Sequence, residues 1–294
     1  MPDEDREILT PLMGLKRRAE HGGAQVAPGS VPSRALFTWG DPLFEIARQF
    51  TRARPTDLKA GVASLYRGTW GGEPITLVNP GMGAPAAALV ADKLSACGVD
   101  AIVGIGFAGI LHPLLSSGDI IVVERAIGED GASRCYLDGL APVPGLDESP
   151  SPPDEVHADP AVRKAIELAL AEEHASYQCG TTWTTDAPYR ETVKKARSFR
   201  ARGAHCVEME TAALLAVAKR RGIRAGAALV LSDSLCRVAP LDAPQSENLI
   251  DGLDWTWTPA PSGSLDLQVQ ALVRAALPVV AGPLIASTEA AHAH

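Results

Sequence analysis

The sequence predicts one α/β domain built around a mainly parallel sheet. Two short runs, residues 101–106 and 119–125, are rich in Ile and Val without polar alternation, as strands covered on both faces are. Helical stretches stand between such runs, the order that produces parallel strands with crossover helices. Glycines and acids gather where the runs end, and in sheets of this kind ligands collect at the carboxyl ends of the strands.

In chain order, residues 1–33 mix charges with Gly22, Gly23, Pro28, Gly29 and Pro32 and hold no period, which reads as an N-terminal arm. Residues 34–39 read as a strand and 42–50 as a helix. A strand pair at 60–70 and 74–80 is joined by Gly71-Gly72, both of which accept positive φ without a Cβ clash and so favour a tight hairpin. The alanine-rich stretch 84–97 reads as a helix stopped by Gly98. Six prolines between residues 137 and 160 make an irregular connection. Beyond them, 160–174 reads as a helix, 176–185 as a strand and 192–202 as a basic surface helix. The clearest helix is 208–221: Met209, Ala212, Ala213, Ala216 and Val217 share one face, and Gly222 ends it. A last core strand at 225–231, a polar loop to about 262 and a helix at 265–280 complete a domain expected over 34–285, with a tail at 286–294.

Composition excludes several classes. Of 294 residues 46% are hydrophobic and 21% charged, which sets the chain apart from disordered sequences. A net charge of -8 without a basic stripe argues against nucleic acid as a partner. No apolar run is long enough to span a membrane, and the acidic N-terminus lacks the pattern of a secretory signal, so a cytoplasmic location without membrane attachment is expected. The five cysteines, Cys97, Cys135, Cys179, Cys206 and Cys236, are widely spaced and read as buried thiols, and neither a metal nor a cofactor is expected.

Four places offer chemistry. At Gly40-Asp41-Pro42 the backbone N–H groups suit an anion, while Asp41 either caps a helix or touches a ligand. Gly81-Met82-Gly83, with Gly104 to Gly109 after it, offers a glycine nest; the GxGxxG pattern there lacks the ribose-binding acid of a dinucleotide site. Glu208-Met209-Glu210 either favours a helix N-terminus or holds vicinal sugar hydroxyls, and the second role for both acids requires Glu208 to lie outside the regular turn. Asp233, between Ser232 and Ser234, is either a turn residue or an acid able to protonate a leaving group.

The order of these blocks, Asn79 to Gly83, Gly104 to Gly109, Asp119 to Ser133, Thr184 to Tyr189, Val207 to Ala213 and Ser232-Asp233, resembles the nucleoside phosphorylase superfamily of the uridine phosphorylase and hexameric purine nucleoside phosphorylase type. The resemblance covers roughly residues 36–235. It implies a three-layer α/β/α sandwich with a mixed, partly barrel-like central sheet, and homo-oligomers built from dimers, a homodimer or a homohexamer. The implied activity is cleavage of the N-glycosidic bond of a nucleoside-like substrate, with phosphate or water as acceptor; a family member reduced to nucleoside binding, or to a non-catalytic subunit, is the alternative. Carried over residue by residue, Glu208, Met209 and Glu210 hold the ribose, and Asp233 protonates the leaving base. Thr185 and Tyr189 lie by the base, where Trp183 or Tyr189 stacks unless it belongs to the core. Gly40, Asp41, Gly83, Phe107 and Gly109 complete the expected binding set. The departures are as informative: three phosphate-binding arginines of the family fall on Phe44, on Gly61 or a neighbour, and on Gly104. A Ser or Thr falls on Phe107, and a further Arg on Gly128, which leaves Arg48, Arg67, Arg125, Arg134 and Arg237 as other routes to a phosphate.

Overall fold

A computed structural model describes residues 7–20, 29–60, 63–137, 154–239 and 247–284. The chain opens with α1 (Pro11–Glu20), β1 (Arg34–Thr38), α2 (Asp41–Thr51) and a meander of β2 (Arg54–Ala60), β3 (Ala63–Trp70) and β4 (Glu73–Val78). Then come α3 (Ala84–Ala96), β5 (Ala101–Ile110), β6 (Ile120–Gly128), α4 (Gly131–Leu137) and β7 (Glu155–His157). The second half holds α5 (Pro160–Glu172), β8 (Tyr177–Thr184), α6 (Val193–Ala201), β9 (Ala204–Glu208), α7 (Thr211–Arg221) and β10 (Arg224–Ser234). Short strands β11 (Arg237–Val238), β12 (Leu249–Ile250), β13 (Leu253–Asp254) and β14 (Thr258–Pro259) precede the last helix, α8 (Asp266–Ala281).

The sheet is mixed, not mainly parallel. Strands β10, β6, β8, β9 and β5 are neighbours in turn, and β10 also pairs parallel with β5, so these five close on themselves. From β5 the sheet continues outward through β1, β4, β3 and β2. Helices cover both sides. Leu15 of α1, Leu94 of α3 and Leu214 and Val217 of α7 are buried on one face, while Leu43 of α2, Val162 and Ile166 of α5 and Leu272 and Leu277 of α8 are buried on the other. Each of these side chains contributes roughly 1.5–3 kcal/mol of transfer free energy, which clamps the strand ends in place. The result is the three-layer sandwich with a partly closed barrel.

The Gly71-Gly72 hairpin forms with φ of 59° and 90°, the positive values a two-residue turn of this hand requires. Gly98 (φ 94°) and Gly222 (φ 66°) end α3 and α7 as expected. Four further expectations are corrected. The helix read from residue 208 starts at Thr211, and Glu208 is the last residue of β9. Strands β2 and β9 form where none was read, and the expected polar loop after β10 holds a three-stranded sheet of β11, β13 and β12. All five cysteines are free, but Cys135 is exposed and Cys179 half-buried instead of buried.

Among the described residues, no helix is long and apolar enough to cross a membrane.

Candidate active site

The carboxyl ends of β1, β4, β5 and β9 converge on a cavity of about 450 Å³. Trp39, Gly40 and Asp41 line it from the β1–α2 junction, Asn79, Gly81 and Met82 from the β4–α3 turn, Phe107 from β5, and Glu208, Met209 and Glu210 from the β9–α7 junction. Asp41 is not the cap of α2. It is the first helical residue, Gly40 is the N-cap, and the Asp41 carboxylate accepts a bond from the Asn79 amide at 3.3 Å.

Because Glu208 ends a strand and Glu210 caps the following helix, both acids reach the same cavity. Their surroundings differ sharply. Glu208 accepts five bonds: hydroxyls of Thr182, Thr184 and Thr211, and the backbone N–H groups of Glu210 and Thr211 at 2.8 and 2.7 Å. Glu208 therefore also satisfies the orphan donors of the first turn of α7. Glu210 accepts the Gly83 N–H at 2.5 Å, from a glycine held at φ 93°. Burial raises the pKa of both carboxyls. The donors around Glu208 oppose that rise, whereas Glu210, with the Glu208 charge beside it, is pushed up to about 8.

The opposite wall is aromatic. A Cβ at Gly40 would lie 2.9 Å from the Phe107 ring, so this ring covers the glycine turn where an anion would approach the backbone of α2. A Cβ at Gly104 would lie 2.5 Å from Trp39, and one at Gly106 3.1 Å from it. The spaced glycines of β5 make room for the Trp39 indole instead of cradling a phosphate. Gly104→Ala is accordingly expected to destabilise the chain by about 1–3 kcal/mol through overpacking, measurable by urea denaturation. Gly128 is closed to any side chain by Ser133 and Asp130, and the Gly61 position lies outside the described residues. Among the residues lining the cavity there is no Lys or Arg. Of the five arginines left as other routes, Arg48, Arg125 and Arg237 pair with Glu45, Glu155 and Asp254, Arg134 donates to the Gly128 carbonyl at 3.4 Å, and Arg67, on β3, is likewise not among the lining residues.

The remaining candidates spread out. Asp233 is not one of the cavity-lining residues; its carboxylate accepts the Ser232 hydroxyl at 2.7 Å and the Trp257 indole N–H at 2.9 Å. Gly109 lies directly beneath it, with a notional Cβ 3.1 Å from Asp233 Oδ2. Thr185 is buried and donates to Glu129 at 3.1 Å. Trp183 is not a stacking surface for a ligand: it is fully buried, with its ring 4.3 Å from Phe199 and nearly parallel to it. Tyr189 stands wholly in solvent on a 3-10 turn, Pro188–Arg190. Glu191, unread in the sequence, has its carboxyl pushed up to about 7 by burial and then by the charges of Asp233 and Glu129. Trp39 and Asn79 sit inside the glycine motifs that drew attention without being singled out, and the sequence leaves the Trp255/Trp257 loop open between a pocket cover and an oligomer contact.

The model of a known family, described as the phosphorylase superfamily, matches residues 39–251. The chain belongs to that superfamily. The match takes in every segment lining the cavity and Asp233 beyond it. Among similar superfamily members, a guanosine phosphorylase of Halorubrum lacusprofundi is 26% identical over 181 residues, 58% of this chain and 66% of that protein. A uridine phosphorylase of Thermococcus kodakarensis is 27% identical over 217 residues, 68% of this chain and 72% of that protein. The fold is shared with a purine nucleoside phosphorylase of Toxoplasma gondii crystallised with immucillin-H (TM-score 0.66, 21% identity, 88% of this chain and 96% of that one). A uridine phosphorylase of Vibrio fischeri gives a TM-score of 0.65 at 20% identity, over 87% of this chain and 95% of that one.

Proposed function

We propose that this chain cleaves the N-glycosidic bond of a nucleoside-type riboside and passes the ribosyl group to water, not to phosphate. Relatives named for nucleoside phosphorolysis support the bond that is cut. The acceptor rests on one observation: the Phe107 ring lies over Gly40 in a cavity whose charged lining residues, Asp41, Glu208 and Glu210, are all acids. Phosphate carries close to two negative charges at neutral pH, and holding it there without a cation costs several kcal/mol. The internal stretches outside the described residues, 21–28, 61–62, 138–153 and 240–246, contain neither Lys nor Arg.

In this reading the carboxylates serve a transition state with positive charge on the ribosyl ring. The C1′–N bond breaks with its electron pair going to the base, which takes a proton from Asp233. Water adds at C1′ and gives its proton to Glu210. Glu210 is the base because the Glu208 carboxylate is committed to five donors. Glu208 orients the junction from which Met209 and Glu210 face the sugar.

The test is base release from a panel of purine and pyrimidine nucleosides, with and without phosphate, followed by chromatography. Release at the same rate in phosphate-free buffer is expected. Release only with phosphate overturns the choice of acceptor. No release, together with a nucleoside-induced rise in melting temperature, makes the chain a binding protein.

A further inference from the structure

We propose that Trp257 positions the leaving-group acid and sets base specificity: its indole N–H fixes the Asp233 carboxylate, and its exposed ring forms a wall for a planar heterocycle. This rests on the N-riboside reading above.

The argument begins in the register of β10. Leu231 pairs with Ala108 and Asp233 with Gly109, so Ser232 is an extra residue without a partner on β5. A bulge of this kind re-aims the next side chain. Asp233 is turned over β5, where the missing Cβ of Gly109 leaves room for Oδ2. Side chains alternate along a strand, so position 109 faces the same side as Phe107, about 7 Å away. Phe107 is a wall of the cavity. The carboxylate therefore stands one strand step beyond the sugar end, on the same side of the sheet, where the base of a bound riboside would lie.

Trp257 is tied to this spot and not merely near it. The adjoining strand β14 pairs antiparallel with Asp233 and Ser234, and the Ala260 N–H donates to the Ser232 carbonyl at 2.8 Å. On the other side Trp255 is buried in the small cluster with Trp183 and Leu253, anchoring the strap. Between these anchors Trp257 donates its Nε1–H to Asp233 Oδ2 at 2.9 Å and leaves 64% of its surface exposed. An indole only donates, so it orients the carboxylate without competing for its proton. Each carboxylate oxygen keeps a second lone pair for a ligand, and the open ring face offers stacking to a heterocycle.

Two substitutions separate the two roles. Trp257→Phe keeps a ring and loses the donor, whereas Trp257→Leu loses both. The substrates are a purine nucleoside, whose base must be protonated to leave, and 4-nitrophenyl riboside, whose leaving group departs without a proton. Trp257→Phe is expected to lower kcat on the nucleoside about tenfold more than on the nitrophenyl riboside, with KM little changed. Trp257→Leu is expected to raise KM for the nucleoside as well. In an Asp233→Asn background, Trp257→Phe is expected to add no further loss. Equal losses on both substrates, or full additivity with Asp233→Asn, overturn the positioning role, and melting temperatures verify that the variants fold. Should the parent chain release no base from any nucleoside, the reading above fails. Quenching of tryptophan fluorescence by nucleoside then decides the wall: a quench absent from Trp257→Phe supports it, and a quench unchanged in that variant, or none in the parent, overturns it.

Discussion

Glu208→Ala is expected to destabilise the chain by about 3–5 kcal/mol, while Glu210→Ala leaves stability nearly unchanged. The two acids stand two residues apart and line one cavity, yet only Glu208 is the hub of a buried network. Its removal strands the N–H groups of Glu210 and Thr211 and the hydroxyls of Thr182, Thr184 and Thr211. Each buried group left without a partner costs about 1–3 kcal/mol, and rotation of the hydroxyls recovers part of the total. The loss is a large part of the margin of an ordinary domain, and at about 2–4 °C per kcal/mol it lowers the melting temperature by roughly 6–20 °C. Glu210→Ala strands chiefly the Gly83 N–H and relieves a buried acid of its desolvation. Both variants are expected to lose base release. Thermal unfolding followed by circular dichroism tells them apart, and a Glu208→Ala variant as stable as the parent would show that Glu208 is a ligand contact without a structural role.

That division of labour was only half legible in the sequence. The apolar spacing from Met209 to Val217 continues a helical period backward through the acids, so nothing in it marks Glu208 as a strand residue. The cue is tertiary: two of the three threonines that receive Glu208, Thr182 and Thr184, lie on β8, more than twenty residues away. Features set by a single residue's backbone freedom were readable, as at Gly71-Gly72 and Gly222, because the constraint is local. Strand β2, with Arg54, Pro55, Asp57 and Lys59, has no apolar run to betray it, and β9 is five residues long. The glycines of β5 were visible but their reason was not, since it depends on the Trp39 indole crossing from another strand. Trp257 follows the same rule: its partner Asp233 is 24 residues away and reached only because β14 pairs with β10.

The activity is expected to rise with pH toward about 8, the limb set by the Glu210 base, and Glu210→Gln is expected to lower kcat by about 10²–10⁴ at the pH of the parent's maximum. The Glu210 carboxyl is pushed up to about 8, first by burial and then by the charge of Glu208, so at pH 7 most molecules hold the proton that a base must shed. Stability moves the other way. The unfolded carboxyl ionises near 4.3, so between that pH and 8 the native chain holds a proton that the unfolded chain releases. Native stability attributable to Glu210 is thus complete below about pH 4.3 and falls as pH rises toward 8, by at most about 1.4 kcal/mol per unit. Glutamine carries no such proton. The melting temperature of Glu210→Gln relative to the parent is therefore expected to climb from pH 5 to 8 and to hold steady above. Taking the difference cancels the carboxylates the two chains share. A rate flat from pH 6 to 9 would remove Glu210 as the base even if the stability difference appeared, because the second measurement reports only where the proton sits and the first reports whether the reaction needs it gone.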